Sequence, residues 1–254
     1  MKKVLINLDR STERLETFYR VNSHIEGVER FSAIEGKGLR QPLKQSGMLL
    51  EGEGVEYTDG ALGCALSHAE QWRLAISSGG GRTVIEDDAV FCKNFEEEHK
   101  RLLNTLPETW DIILWGYNLT SPLSYDLLPI FFSCMTLDSS SFRENIGLYP
   151  NTYISSGFFK LIRVIGTPCY SISPKGAQKF LEFCFPIRLI EMSPSEFCFP
   201  MRGAEMRYPS FSTFVTNVGI DVSMAALYPQ VEAYICTPPL VVTSNDKTIN
   251  QILR

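Results

Sequence analysis

Short blocks of apolar residues alternate with helix-like stretches along the first half of the chain. Val4-Leu5-Ile6 predicts a strand, and a helical pattern follows from Thr12 to about Val21 with Ser11 as its candidate cap. A longer helix is predicted from apolar residues spaced three to four apart, which are Leu66, Ala69, Trp72 and Ile76. It should stop at the glycine triplet 79–81, because glycine readily adopts the left-handed conformation that ends a helix.

The same alternation continues beyond the glycines. Thr83-Val84-Ile85 predicts a buried strand that runs directly into Glu86-Asp87-Asp88. Further elements are predicted as a helix over 95–104 capped by Asn94, strands over 110–115 and 169–172, and a helix from 174 to about 183. Alternating strands and helices indicate a mainly parallel sheet with helices on both faces. Residues 117–168 show neither period, so we expect an irregular insertion over one edge of the site, within a single domain of residues 1–254.

Charge and cysteine content narrow the class of protein. With 24 basic against 29 acidic residues, the chain lacks the positive field that attracts nucleic acid or anionic lipid. Its seven scattered cysteines include no CxxC pair, which favours free thiols in a reducing compartment over zinc or disulfides. No apolar run reaches the roughly 18 residues of a membrane span. We therefore expect a cytoplasmic protein with at most peripheral membrane association.

Polar side chains follow two of the predicted strands. Asn7, Asp9 and Arg10 come after the first, and the acidic run 86–88 comes after another. Ligands bind beyond the carboxyl ends of strands in open α/β sheets. Alternation along an extended segment would direct Glu86 and Asp88 to one side, where two carboxylates suit a hard divalent cation that also takes phosphate oxygens. From these residues alone, acids in an exposed turn or at a helix cap are an equal alternative.

Asp221 is the candidate for a carboxylate base, because a lone acid after an apolar pair and a glycine can sit at another strand end. A helix N-cap ahead of Met224 is an equally good reading. His68 lies four residues before Trp72 and is expected to be a hydrogen-bonded structural histidine. With three histidines in all, the chain offers no His-rich metal site, and it contains no GxSxG, P-loop or HExxH motif.

Four segments, in this order along residues 4–181, together resemble glycosyltransferase family 25, which includes bacterial lipooligosaccharide galactosyltransferases and the collagen galactosyltransferase domains. They are Ile6-Asn7-Leu8-Asp9-Arg10 with Glu13-Arg14, Gly63-Cys64-Ala65-Leu66-Ser67-His68 with Trp72, Ile85-Glu86-Asp87-Asp88-Ala89, and Tyr170-Ser171-Ile172-Ser173 with Gly176-Ala177.

The resemblance implies a GT-A fold with a Rossmann-like sheet, and inverting transfer of a hexose, most often galactose from UDP-galactose, with Mn²⁺ or Mg²⁺. By position, Asn7, Asp9 and Arg10 would border the nucleotide. Glu86 and Asp88 would be the metal pair equivalent to the family's DxD-type motif.

We place Ser67, His68 and Asp87 on the nucleotide side and give catalytic roles to Asp88 and Asp221. The expected protein is a bacterial enzyme at the cytoplasmic face of the inner membrane that extends lipooligosaccharide or another cell-surface glycan. A catalytically silent nucleotide-sugar or glycan-binding module is the main alternative, and the intact acidic run favours the enzyme. A metal-dependent nucleotidyl or phosphoryl transferase is a third possibility, against which the missing phosphate loop weighs.

Overall fold

Nine strands form one large sheet in the computed structural model, which describes residues 1–128, 131–137, 142, 144–190 and 215–243. In chain order the strands are β1 (Lys2–Asn7), β2 (Val28–Ser32), β3 (Arg82–Glu86), β4 (Val90–Phe91), β5 (Ile112–Leu114), β6 (Leu123–Leu128), β7 (Phe131–Met135), β8 (Gly157–Arg163), β9 (Cys169–Ile172), β10 (Ala233–Thr237) and β11 (Val241–Val242). The large sheet has the order β2-β1-β3-β9-β5-β10-β8-β6-β7, and β4 pairs with β11 in a small second sheet.

The large sheet is mixed, which corrects the prediction of a mainly parallel one. Its strands β1, β2, β3, β5, β6 and β10 run in one direction, and β7, β8 and β9 run in the other. Parallel neighbours need a long crossover, usually a helix, whereas antiparallel neighbours can follow a short turn. The part of the chain without helical periodicity supplies β7 and β8, and both run against the majority direction.

Helices cover both faces of the sheet, as predicted. They are α1 (Thr12–Val21), α2 (Arg40–Gln45), α3 (Asp59–Ser78), α4 (Phe95–Leu103), α5 (Pro174–Cys184) and α6 (Ile220–Leu227). Ile112 and Leu114 of β5 belong to the apolar cluster that contains buried residues of α3, α5 and α6. Ile113 and Trp115 belong to the cluster of α1 and α4. Successive side chains of one strand therefore build two separate cores.

Residues 117–168 are not the irregular insertion that the sequence predicted. They contain β6, β7, β8 and a 3₁₀ turn at Ile146–Asn151, and the three strands extend the sheet at one edge. In β6, Leu123–Tyr125 are buried in succession and Asp126–Leu128 are exposed in succession. Burial of this kind does not follow the period of two that marks a strand in a sequence.

The predicted helices are confirmed, with bounds that differ by only a few residues. Gly79 ends α3 in the left-handed conformation with φ of 65°, and the Ser173 hydroxyl caps α5 by accepting a hydrogen bond from the Gly176 amide. Ser11 and Asn94 precede α1 and α4 without a side-chain capping bond. The Asn94 amide instead donates to the carbonyl of Ile154, 2.9 Å away.

Two further predictions concern the chain as a whole. The six cysteines of the described ranges are free thiols, in agreement with the sequence, and Cys198 lies outside those ranges. Among the residues that the structure describes, no helix combines the length and apolarity needed to cross a bilayer.

Close backbone contact joins α3 to the loop after β2. A Cβ atom on Gly63 would lie 2.3 Å from the Ile34 carbonyl oxygen, and one on Gly36 would lie 1.7 Å from that of Asp59. Neither distance is compatible with a side chain. Glycine at both positions therefore lets this loop pack directly on the first turns of α3, beside the end of β1.

We expect Gly63→Ala to lower the free energy of unfolding by about 1–3 kcal/mol, the usual cost of overpacking. Gly60→Ala is the matched control, because its new Cβ would meet only the Thr58 hydroxyl at 3.8 Å and alanine favours helices. Chemical unfolding of both variants measures the difference. Equal stability of the two variants would contradict the close contact.

Candidate functional site

The candidate site lies at the carboxyl edge of β1 and β3. These strands are parallel neighbours in which Ile6 pairs with Glu86, so Asn7 and Glu86 end side by side. Because β9 is antiparallel to β3, the loop that leads into β9 reaches the same edge, and the Glu86 amide donates to the Pro168 carbonyl at 2.9 Å. The mixed sheet thus brings Thr167 to the acidic run.

The acidic run forms a turn, which corrects the prediction that it is extended. The Ala89 amide donates to the Glu86 carbonyl at 3.1 Å, and we call Glu86–Ala89 the acidic turn. The alternation argument for separating Asp87 from Asp88 therefore does not apply. The side chains of Glu86, Asp87 and Asp88 are only 30%, 12% and 34% exposed, so the turn is not the fully solvated one of the alternative reading either.

Asp87 is fully engaged by the protein. Its Oδ2 accepts a hydrogen bond from the Asn7 amide at 2.7 Å, and its Oδ1 forms an ion pair with Arg14 of α1. Burial raises the pKa of Asp87 above its ordinary value, although Arg14 and Asn7 act in the opposite direction. Asp87 therefore anchors the acidic turn to β1 and α1.

Asp88 is less well compensated. Among the described residues its buried Oδ1 has no hydrogen-bond partner, and its Oδ2 lies 3.6 Å from the Arg14 guanidinium. Burial, followed by the nearby charge of Glu86, raises the pKa of Asp88 to about 6. A cation bound beside this carboxylate would favour its charged form and lower its pKa.

Glu86 lies next to a hydroxyl group and an imidazole ring. The Thr167 hydroxyl donates to its Oε1 at 2.7 Å, and His68 Nε2 lies 3.5 Å from the same oxygen. Burial acts to raise the pKa of Glu86, but the adjacent His68 imidazole, together with Thr167, holds it below the ordinary value. Glu86 is therefore the most strongly anionic member of the acidic turn.

Two adjoining cavities meet at Glu86 and Cys64. The first, of about 180 Å³, is lined by Ile6, Asn7, Leu8, Ser11, Arg14, Ala33, Ile34, Glu35, Gly36, Gly60, Cys64, Ser67, His68, Glu86 and Asp87. The second, of about 220 Å³, is lined by Ala61, Cys64, Glu86, Gly166, Thr167, Pro168, Gly219, Ile220, Asp221 and Thr243. We call them the β1 cavity and the Asp221 cavity.

Asp221 lies in the first turn of α6, which corrects the prediction of a strand end. It also corrects the alternative of an N-cap by two residues, since Gly219 is the N-cap. Its Oδ1 accepts a hydrogen bond from the Val222 amide at 3.0 Å. Burial, and then the charge of Glu86, raises the pKa of Asp221. A carboxylate with a raised pKa in a cavity wall is suited to take up a proton.

Two of the predicted nucleotide-side residues belong to the lining of neither cavity. The Asp9 side chain is 74% exposed and pairs with Arg30, and Arg10 pairs with Glu35 on the surface. Ser67 lines the β1 cavity, but its hydroxyl already accepts from the Ile34 amide and donates to the Gly63 carbonyl. Its direct role is to hold the loop on α3.

The structure adds Arg14 and Thr167 to the site. Arg10 precedes α1 and Arg14 lies in its first turn, so the sequence places both close to the end of β1 but does not tell which one faces the acids. Thr167 lies in a loop between β8 and β9, and its contact with Glu86 depends on the antiparallel direction of β9. No local pattern in the sequence indicates that contact.

The described residues contain no group of three or more His, Cys, Asp or Glu side chains that could by itself hold a metal ion. Glu86 and Asp88 nevertheless provide hard carboxylate oxygens, and Asp88 Oδ1 has no partner. Mg²⁺ and similar cations are commonly bound through one or two carboxylates plus waters and substrate phosphates. The predicted pair fits a cation of that kind.

Arg14→Gln should lower the free energy of unfolding by about 1.5–3 kcal/mol at pH 7.5, the usual range for hydrogen bonds to charged groups. The loss should shrink as the pH falls through about 6, because the pKa of Asp88 is raised to about 6 and its protonated carboxyl needs no counter-charge. Arg10→Gln removes the same charge from an exposed pair and should cost about 1 kcal/mol at most. Unfolding curves at both pH values test this, and a loss that does not depend on pH would contradict it.

Comparison of the sequence with those of known proteins identifies its family. A sequence profile of glycosyltransferase family 25 (LPS biosynthesis protein) matches residues 1–194. A putative glycosyltransferase of Acanthamoeba polyphaga mimivirus is 33% identical over 120 residues, which cover 46% of this chain and 37% of that protein. Procollagen galactosyltransferase 2 of Homo sapiens is 32% identical over 127 residues, which cover 44% of this chain and 20% of that protein.

Catalytically inactive proteins are also among the relatives. A probable inactive glycosyltransferase 25 family member 3 of Rattus norvegicus is 35% identical over 101 residues, covering 35% of this chain and 18% of that protein. The chain thus spans well under two thirds of the length of each of these relatives. The profile, in contrast, matches more than half of the chain, and the chain belongs to glycosyltransferase family 25.

Proposed function

We propose that this chain is an inverting glycosyltransferase of the GT-A type that transfers a hexose, galactose from UDP-galactose, to lipooligosaccharide or another cell-surface glycan. The observation that carries the proposal is the position of Glu86. Its carboxylate borders both the β1 cavity and the Asp221 cavity. A site for group transfer between two substrates needs this kind of junction, and family membership supports sugar as the group transferred.

The β1 cavity is the proposed nucleotide side. Asn7, Ser67, His68 and Asp87 line it at the carboxyl edge of parallel strands, where α/β sheets bind ligands. Glu86 and Asp88 would hold the Mn²⁺ or Mg²⁺ ion, which when bound would neutralise charge on the donor diphosphate. The hydrogen-bonding pattern supports this pair over Asp87, since both Asp87 oxygens already have partners.

The Asp221 cavity is the proposed acceptor side. Asp221 would take the proton from the attacking acceptor hydroxyl as the new bond from its oxygen to the anomeric carbon forms. The bond from that carbon to the diphosphate oxygen breaks, and the diphosphate leaves with the electron pair. Attack from the face opposite the leaving group inverts the anomeric centre. The raised pKa of Asp221 and its place in the cavity lining support the role of a base.

The proposed acceptor is carried by a lipid, and we propose a bacterial enzyme that works at the cytoplasmic face of the inner membrane with peripheral contact only. Leu127, Leu128 and Phe131 support this contact. They lie at the ends of β6 and β7 at the edge of the sheet, and each is about half exposed. Large apolar side chains grouped at a surface mark contacts with apolar partners.

A silent binding module is the second candidate, because relatives of this chain include proteins named as inactive. Both candidates would bind a nucleotide sugar. Only the transferase needs Asp88 for rate and Asp221 for proton removal, so matched variants at these positions separate the two.

Asp88→Asn should lower the initial transfer rate by roughly a hundredfold, because loss of one charge at a developing anion typically costs about 3 kcal/mol. Asp87→Asn should reduce the rate less and the stability more, because Asp87 holds Arg14 and Asn7. Asp221→Asn should be as slow as Asp88→Asn. Added Mn²⁺ should partly rescue Asp88→Asn and should not rescue Asp221→Asn.

The assay compares initial rates across Mn²⁺ concentrations, with acceptor offered both free and on vesicles, and circular dichroism confirms folding. Arg10→Gln serves as a charge-removing control outside the cavities. Near-normal rates for both Asp88→Asn and Asp221→Asn would contradict the proposed roles. A wild-type chain that binds UDP-galactose without transfer to any glycan acceptor would favour the silent module.

A further inference from the structure

A series of neighbouring buried polar side chains leads from the core to Glu86. Trp72 Nε1 donates to the Tyr170 hydroxyl at 2.8 Å, and that hydroxyl lies 2.8 Å from His68 Nδ1. The other ring nitrogen of His68, Nε2, lies 3.5 Å from Glu86 Oε1. Trp72, His68 and Tyr170 are all 0% exposed. Glu86, at the end of this series, is partly exposed and lines both cavities, and His68 lines the β1 cavity.

The direction of each hydrogen bond follows from what the groups can donate. An indole N–H is a donor only, so the Tyr170 oxygen must accept from Trp72. Tyr170 stays protonated, because burial raises its pKa well above the ordinary value. Its single proton then points to His68 Nδ1, which is the acceptor within reach. If Nδ1 carried the ring proton, a buried phenol would be left without an acceptor.

His68 Nε2 therefore carries the ring proton and faces Glu86. Within the described part of the chain it has no hydrogen-bond partner at normal distance, which is uncommon for a buried N–H group. A small approach of the Glu86 carboxylate would satisfy it. Tyr170 and Glu86 come from neighbouring strands, since Tyr170 pairs with Val84 in the antiparallel register of β9 and β3. The Tyr170 hydroxyl and the Glu86 carboxylate are thus both positioned by strands of the sheet.

We propose that Tyr170 is a positioning residue for Glu86: its hydroxyl fixes the ring proton of His68 on Nε2, and this N–H orients the Glu86 carboxylate toward the junction of the two cavities. The proposal rests on the proposed function, in which Glu86 helps to hold the cation and the donor diphosphate. Tyr170 touches neither substrate. It acts through His68, as partners outside the ligand sphere of a metal commonly do.

A purely structural role for Tyr170 is the competing explanation, and the neighbouring residue provides a matched control. Ser171 is also 0% exposed on β9. Its hydroxyl accepts from the Trp115 indole at 2.8 Å and lies 2.8 Å from the Thr83 hydroxyl. Trp115 belongs to the core on the other face of the sheet. Ser171→Ala thus removes a buried hydroxyl bonded to an indole without changing the groups around His68.

The first measurement is the ¹⁵N spectrum of the metal-free protein with labelled histidine, in which only three residues contribute signals. Wild type should show the His68 proton on Nε2. Tyr170→Phe should shift this signal toward the other tautomer or a mixture, while Ser171→Ala leaves it unchanged. His68→Gln identifies the resonance by deleting it.

The second measurement separates KM for UDP-galactose, at fixed Mn²⁺, from kcat. Tyr170→Phe should raise KM and the Mn²⁺ concentration for half-maximal rate by about tenfold or more, in the range found for such outer partners. Its kcat at saturation should fall less. Ser171→Ala should lower the melting temperature and leave both constants within about twofold of wild type.

A His68 proton on Nδ1 in wild type overturns the proposal, even if Tyr170→Phe does not fold. Equal KM values for Tyr170→Phe and Ser171→Ala also overturn it. Failure of the proposed function is a different result, in which wild type shows the Nε2 proton but no response to UDP-galactose and Mn²⁺. That outcome would leave Tyr170 without Glu86 as a functional target and would overturn the proposal as well.

Discussion

Three consecutive acids at the end of a buried strand are the constraint around which the site is built. Removing a carboxylate from water is costly unless it is hydrogen-bonded or paired with an opposite charge. The compensation for Glu86–Asp88 comes from separate elements: Asn7 of β1, Arg14 of α1, His68 of α3 and Thr167 before β9. The same packing of strands and helices that forms the fold therefore also brings the residues of the site together.

The three carboxylates of the acidic turn differ in how far hydrogen bonds and opposite charges compensate their burial. Asp87 has partners for both oxygens, Glu86 is held as an anion, and Asp88 has a pKa raised to about 6 and one oxygen without a partner. Glu86 lines both cavities and Asp87 lines the β1 cavity, whereas Asp88 belongs to the lining of neither. A cation bound next to the turn would favour the charged form of Asp88.

The sequence predicted the helices and the first strands well, because these elements have regular apolar spacing and clear ends such as Gly79. It placed Glu86 at a strand end correctly. It missed the direction of β9 and the strands between 117 and 168, since strand direction depends on which partner a strand finds and the burial of β6 does not alternate. The contacts of Thr167 and Tyr170 with the site follow from the direction of β9, so they could not be predicted from the sequence.

An extended segment and a turn were equal alternatives for the acidic run. Glu86-Asp87-Asp88 contains no glycine or proline to decide for a turn, and the bond from the Ala89 amide to the Glu86 carbonyl is seen only in the structure. For Arg14, the sequence identified the segment but not the contact. It belonged to a segment that carries the family resemblance, but its partner could be identified only when α1 was seen to lie over the turn.

The central claim is that the acidic turn binds a nucleotide diphosphate and a divalent cation as one unit. Thermal unfolding with UDP, with Mn²⁺ and with both tests it most directly, because a ligand that binds only the native state raises stability with the logarithm of its excess. The account predicts a shift with both ligands that exceeds the sum of the separate shifts and that disappears with a chelator. Shifts that are additive, or unchanged by the chelator, would contradict it.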